Sequence, residues 1–112
     1  MYFKLTTKYG AYENCFFYIR KYVNQTPYID IMQDTEDGLE PILSVTVSLD
    51  APLPDGCIFV KNYSENEGVL DCLKKLGVVT DVLCYVPSGY VSIPVCSYDP
   101  EVLKRYMCTG GM

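Results

Sequence analysis

The chain has 112 residues, a formal net charge of −5 at pH 7, and a composition that is 49% hydrophobic and 21% charged. This length and composition exclude wholesale disorder and predict one domain over residues 1–112 with a modest core. The acidity argues against direct binding to DNA, RNA or an anionic membrane, because each of these requires a basic protein surface. We therefore expect the partner to be a basic protein. The chain itself is expected to be a monomer or a small homo-oligomer.

The expected cellular location follows from two segments that the sequence does not show, a membrane helix and a signal peptide. No stretch reaches the roughly 18 consecutive apolar residues of a membrane helix, and residues 1–5 have no signal-peptide layout. We therefore expect a cytoplasmic protein. In that reducing compartment the six cysteines are expected to be reduced thiols that are buried as small hydrophobic side chains, with three disulfides as the alternative: Cys15, Cys57, Cys72, Cys84, Cys96 and Cys108.

The first half of the chain reads as strands. Aromatic and β-branched residues predict strands at residues 3–7 and 15–23. Turn residues follow, and the apolar run then resumes, so residues 15–32 are expected to form a hairpin. After a polar turn at residues 34–38, strict alternation of apolar and polar residues predicts another strand at 42–49.

The second half mixes strands and helices. Two prolines and a glycine make residues 51–56 a loop. An apolar stripe and a favourable charge order predict a helix over residues 65–76 that Gly77 ends. Asp99 is expected to cap a last helix that opens with Pro100. The remaining segments predict strands at residues 57–61, 78–86 and 90–96, the last two joined by a turn at 87–89.

Short connections favour antiparallel pairing, because parallel strands need crossovers of a dozen or more residues. The predicted fold class is therefore α+β, with one mainly antiparallel β-sheet and two short helices packed on it.

Several kinds of catalytic chemistry find no support. The chain has no histidine, no Cys-x-x-Cys pair and no glycine-rich phosphate loop. The carboxylates near residue 34 resemble the start of a calcium loop, but Pro41 and Leu43 fall where later ligands should stand. We therefore expect no enzyme activity, no cofactor and no metal site.

The charge distribution supplies the main candidate site. Between Tyr22 and Val60 there are seven carboxylates and no Lys or Arg, which gives that segment a charge of −7. Such a segment can form an acidic, tyrosine-bearing surface for a basic groove, although it can also be an ordinary solvated loop. The residues predicted to bind a partner are Tyr28, Asp30, Asp34, Glu36, Asp37 and Glu40, together with the turn at Ser88, Gly89 and Tyr90.

From about residue 49 to residue 106 the chain resembles a family of small Firmicutes proteins that is classed as a domain of unknown function. The matching stretches are residues 53–60 (LPDGCIFV), Leu76-Gly77, Ser88-Gly89-Tyr90, and Ile93-Pro94 with Tyr98. Proteins of this family are encoded on phages, plasmids and conjugative elements, so the resemblance implies the cytoplasm of a bacterial host.

The resemblance implies a context in which small acidic proteins inhibit host defence. It suggests an anti-CRISPR protein that binds a CRISPR effector nuclease, most readily Cas9, and competes with nucleic acid as a DNA mimic. The alternative is a structural or regulatory accessory protein of conjugation or phage growth without a defence target.

Overall fold

The computed structural model describes residues 1–107, so Cys108 lies outside the described part of the chain. The strands form two antiparallel sheets. The first has the spatial order β1-β2-β3-β4, with strands β1 (Phe3–Thr7), β2 (Gly10–Lys21), β3 (Pro27–Thr35) and β4 (Gly38–Ser44). The second has the order β5-β7-β6, with strands β5 (Cys57–Phe59), β6 (Val79–Ser88) and β7 (Val91–Tyr98).

Two short helices accompany the sheets: α1 (Val69–Leu76) and α2 (Pro100–Arg105). The Asp99 carboxylate accepts hydrogen bonds from the backbone N–H groups of Glu101 and Val102 at 2.9 and 3.3 Å, which caps α2 as expected. The predicted α+β class, with antiparallel strands and two short helices, is confirmed. Neither helix is long and apolar enough to cross a membrane, as judged over residues 1–107.

The strands are divided between two sheets, whereas the sequence analysis expected one. The difference arises at the predicted strand 42–49, because β4 ends at Ser44 and the chain then changes partner. The N–H of Val45 still donates to the carbonyl of Ile29 on β3 at 2.8 Å, but the Thr46–Val60 bridge and the hydrogen bond from Val47 to Phe59 pair the segment with β5 and the residue that follows it. The alternation beyond Ser44 has another cause: Val45 belongs to the larger core cluster, while Val47 and Leu49 pack against a second cluster. The segment therefore passes from the first sheet to the second and connects their two apolar regions.

The larger core lies against the inner face of the first sheet. Its fully buried side chains include Leu5, Phe17, Ile31, Ile58 and Leu73, which come from both sheets and from α1. The smaller core lies on β5 and β7, where the loop around residues 47–53 covers it. Burial of these side chains supplies the main driving force for folding.

The helix predicted from residue 65 begins later. A 3-10 turn occupies Ser64–Asn66, and α1 starts after Gly68, which has a φ of 105°. A Cβ at Gly68 would lie 3.1 Å from the Cα of Thr7, so a larger residue would be crowded against the backbone of β1. This tertiary approach, together with the positive φ, delays the start of the helix.

Buried Asn66 joins the two sheets. Its Nδ2 atom donates hydrogen bonds to the carbonyls of Ser44 at 2.6 Å and Lys61 at 3.2 Å. Ser44 ends β4 of the first sheet, and Lys61 lies two residues after the end of β5 of the second sheet. The position of the second sheet relative to the first therefore depends in part on one polar side chain that is 0% exposed.

Candidate partner-binding surface

The β3–β4 hairpin ends in a tight, well-defined turn. Thr35 and Gly38 are paired across the ladder, so the loop consists of Glu36 and Asp37. The Thr35 hydroxyl donates to the carbonyl of Gly38 at 2.8 Å and accepts from the N–H of Asp37 at 3.2 Å. Gly38 has a φ of 115°, a backbone conformation that glycine adopts at little cost. The turn therefore holds two carboxylates at a fixed place.

Four carboxylates surround this turn, and we call them the acidic hairpin tip: Asp34, Glu36, Asp37 and Glu40. Glu36, Asp37 and Glu40 are exposed, and Asp34 is half-buried. Within residues 1–107 none of the four takes part in an ion pair. The tip therefore presents four negative charges that no cation of the described chain neutralises by direct contact.

Asp30 has a different environment from the tip. Its carboxylate accepts a hydrogen bond from Arg20 Nη2 at 2.7 Å and another from the Ser44 hydroxyl at 2.7 Å. Its side chain is 14% exposed, and its hydrogen bond raises the pKa of the Arg20 guanidinium. The structure thus places Asp30 in an internal ion pair, which offsets its charge.

Tyr28 contacts the Arg20 side chain that pairs with Asp30, and we call this group of side chains the Asp30–Tyr28 cluster. The Tyr28 ring stacks on Tyr22 with a centroid separation of 4.5 Å, and the Arg20 guanidinium lies 4.3 Å from its ring centroid. The Tyr22 hydroxyl in turn contacts Thr46, and burial raises the pKa of Tyr22. Tyr28 and Asp30 therefore lie in the first half of β3, while the tip lies at the other end of that strand and in the turn that follows it.

Exposed aromatic and aliphatic side chains adjoin the tip. The Tyr2 hydroxyl donates to Asp34 Oδ2 at 2.5 Å, and its ring stacks on Phe16 at 5.9 Å. Leu39, which is paired with Asp34, is 56% exposed. Tyr18 on β2 is 51% exposed on the same sheet, but it is paired with Asp30 and so lies farther from the tip. These three, Tyr2, Tyr18 and Leu39, were not among the predicted site residues. For Tyr18 the available signal was its alternation with the more buried Phe17 and Ile19, whereas both neighbours of Leu39 are exposed and give no such signal.

The predicted turn at Ser88, Gly89 and Tyr90 lies on the second sheet, where it connects β6 to β7. Gly89 has a φ of 60°, and the Tyr90 side chain is fully exposed. Because the tip belongs to the first sheet, the predicted site residues fall into separate groups: the tip, the Asp30–Tyr28 cluster and this turn.

The five described cysteines are free. Burial raises the pKa of the Cys15 and Cys96 thiols to about 11, and Cys57 and Cys72 are also buried. Cys84 is exposed on β6, which corrects the expectation of burial at that position, because β6 is an edge strand with a bulge between Val82 and Cys84. Within residues 1–107, no group of three or more potential metal-ligating side chains is arranged to hold an ion.

Comparison with known proteins assigns the chain to a protein family. Residues 16–112 match the family described as a domain of unknown function, DUF4313. The chain belongs to this family. The DUF4313 match is longer than the stretch from 49 to 106 on which the resemblance was based, and it includes both the acidic hairpin tip and the turn at residues 88–90. The comparisons found no matching curated protein and no matching solved structure.

Proposed function

We propose that this protein is a non-enzymatic inhibitor of host defence that binds a CRISPR nuclease, with Cas9 as the expected target. The single observation that carries the proposal is the acidic hairpin tip, whose four carboxylates have no ion-pair partner among residues 1–107. Tyr2, Tyr18 and Leu39 supply exposed apolar area on the same sheet. The tip provides the charge and these side chains provide contact area.

The physical basis is competition for a basic groove. Strand residues rise about 3.3 Å each, so the tip carboxylates lie within roughly 10 Å of one another along the hairpin. That distance is about one Debye length at 0.1 M salt, so all four charges can interact at once with an array of Arg and Lys side chains. Cas9 offers such arrays where it holds the guide–target heteroduplex and reads the PAM. Occupation of one of these sites would exclude nucleic acid.

The proposal is tested by target cleavage. Cas9 loaded with guide RNA is incubated with increasing amounts of the protein, target DNA is then added, and the cut product is measured. We expect dose-dependent loss of cleavage, which becomes weaker when DNA is added first. A restriction endonuclease serves as the control, since its inhibition would indicate a nonspecific polyanion effect. Undiminished Cas9 cleavage at saturating protein would contradict the proposed target.

A further inference from the structure

A groove lies on a part of the molecule that the acidic hairpin tip does not use. It runs between α2 and the hairpin of β2 and β3, and its volume is about 330 Å³. The floor and walls are apolar and come from Ile19, Pro27, Tyr98, Leu103 and Met107. This volume is at the lower end of the roughly 300–1,000 Å³ range of small-molecule sites, so the groove suits a small ligand.

Backbone contacts hold the two walls together. The N–H of Phe17 on β2 donates to the carbonyl of Tyr106 at 2.8 Å, and Phe17 forms a bridge with Met107. Leu103 is 4% exposed and anchors α2 in the larger core. The groove is therefore formed by the fold itself and does not require a ligand to assemble it.

The rim of the groove is positively charged, although the whole chain carries −5. Three cations line it: Arg20, Lys21 and Lys104. Arg20 is paired with Asp30, and Lys104 has an exposed contact with Glu101 at 3.7 Å. Lys21 has no ion-pair partner among residues 1–107. An apolar floor with two weakly engaged ammonium groups complements a ligand with an aliphatic body and one anionic end.

We propose that this groove binds an aliphatic carboxylate of medium chain length. The alkyl chain lies along Ile19, Leu103 and Met107, and the carboxylate meets Lys21 and Lys104 at the rim. This site is distinct from the acidic hairpin tip, so the failure of either proposal leaves the other standing.

The first test compares ligands on the intact protein by isothermal titration calorimetry. Hexanoate, octanoate and decanoate are expected to bind with about fourfold tighter Kd for each added methylene until the groove is filled. Decanol, which has the same chain and no charge, is expected to bind about tenfold more weakly than decanoate. Equal affinity for all chain lengths, or no binding of decanoate, would overturn the proposal.

The second test locates the ligand. The double variant Lys21→Glu/Lys104→Glu should weaken decanoate binding at least tenfold and leave decanol binding unchanged. Lys74→Glu/Lys75→Glu on α1 makes the same change in net charge away from the groove and should preserve decanoate binding. Loss of binding in this control pair, or retention in the groove pair, would place the ligand elsewhere and contradict the proposal.

Methyl NMR provides an independent location. With labelled methionine methyl groups, decanoate should shift the Met107 signal and leave that of Met32, on β3, in place. A shift at Met32 without one at Met107 would overturn the assignment to this groove.

Discussion

Asn66 provides a direct test of how the two sheets are held together. Asn66→Ala removes the two hydrogen bonds to the carbonyls of Ser44 and Lys61, each of which contributes about 1 kcal/mol. The Oδ1 atom of Asn66 is buried without a hydrogen-bond partner in the described structure, so its removal restores part of that loss. We therefore expect a decrease of about 1 to 3 kcal/mol in the free energy of unfolding.

The assay is urea denaturation followed by far-UV circular dichroism, where this loss should lower the midpoint by roughly 1 M at an ordinary m-value. Asn66→Asp separates hydrogen bonding from packing, because it keeps the volume but replaces the donor with an oxygen facing two carbonyls. It should cost more than Asn66→Ala. Asn24→Ala, in an exposed turn, is the control and should cost less than about 1 kcal/mol. An Asp variant as stable as the wild type would refute the assigned role of Nδ2.

Three further predictions concern the core, the ion pair and the thiols. Leu73→Ala, at a fully buried position of α1, should lower the unfolding free energy by about 2 to 5 kcal/mol in the same assay, and a loss under about 0.5 kcal/mol would show that α1 does not pack as described. Asp30→Ala should cost about 1 to 3 kcal/mol, with most of the loss shared with Arg20→Ala in a double-mutant cycle; fully additive losses would mean that the 2.7 Å contact contributes nothing. Alkylation of the native protein at pH 8 followed by peptide mass mapping should modify Cys84 well before Cys15 and Cys96, because both buried thiols have a pKa of about 11 and only a small thiolate fraction below it. Equal labelling rates would contradict the burial of Cys15 and Cys96, and fewer than six labels on the denatured, unreduced chain would contradict the reduced state.

Elements with local signals were predictable from the sequence. The strand at residues 3–7 and the hairpin from β2 to β3 follow from aromatic and β-branched residues and from turn residues, and both are present. The cap of α2 needs only Asp99 and the proline after it, so it was also predictable. In each case the determining contacts join residues close in sequence.

Features that depend on distant contacts were not predictable. The delayed start of α1 requires knowledge that Gly68 passes β1. The division into two sheets depends on where Val47 and Leu49 find apolar partners.

The candidate site shows the same limit. The sequence identified the carboxylates but could not tell that Asp30 is paired with Arg20 across two strands, because that pairing follows from the register. It also overlooked Tyr2, whose contact with Asp34 spans 32 positions. The charge of a segment is readable from sequence, whereas the part of that charge left unpaired requires the fold.

The central claim is that the acidic hairpin tip engages a basic groove, and one binding measurement tests it most directly. The triple variant Asp34→Lys/Glu36→Lys/Asp37→Lys is compared with Asp50→Lys/Asp55→Lys/Asp81→Lys, which reverses three exposed carboxylates outside the tip. Affinity for guide-loaded Cas9 is measured at two salt concentrations beside a thermal melt. We expect the tip variant to lose at least tenfold in affinity at low salt, and its remaining binding to lose most of the wild type's salt dependence, while the control retains both properties and the two melts stay close. Wild-type binding that persists unchanged in the tip variant, with an unchanged melt, would contradict the account.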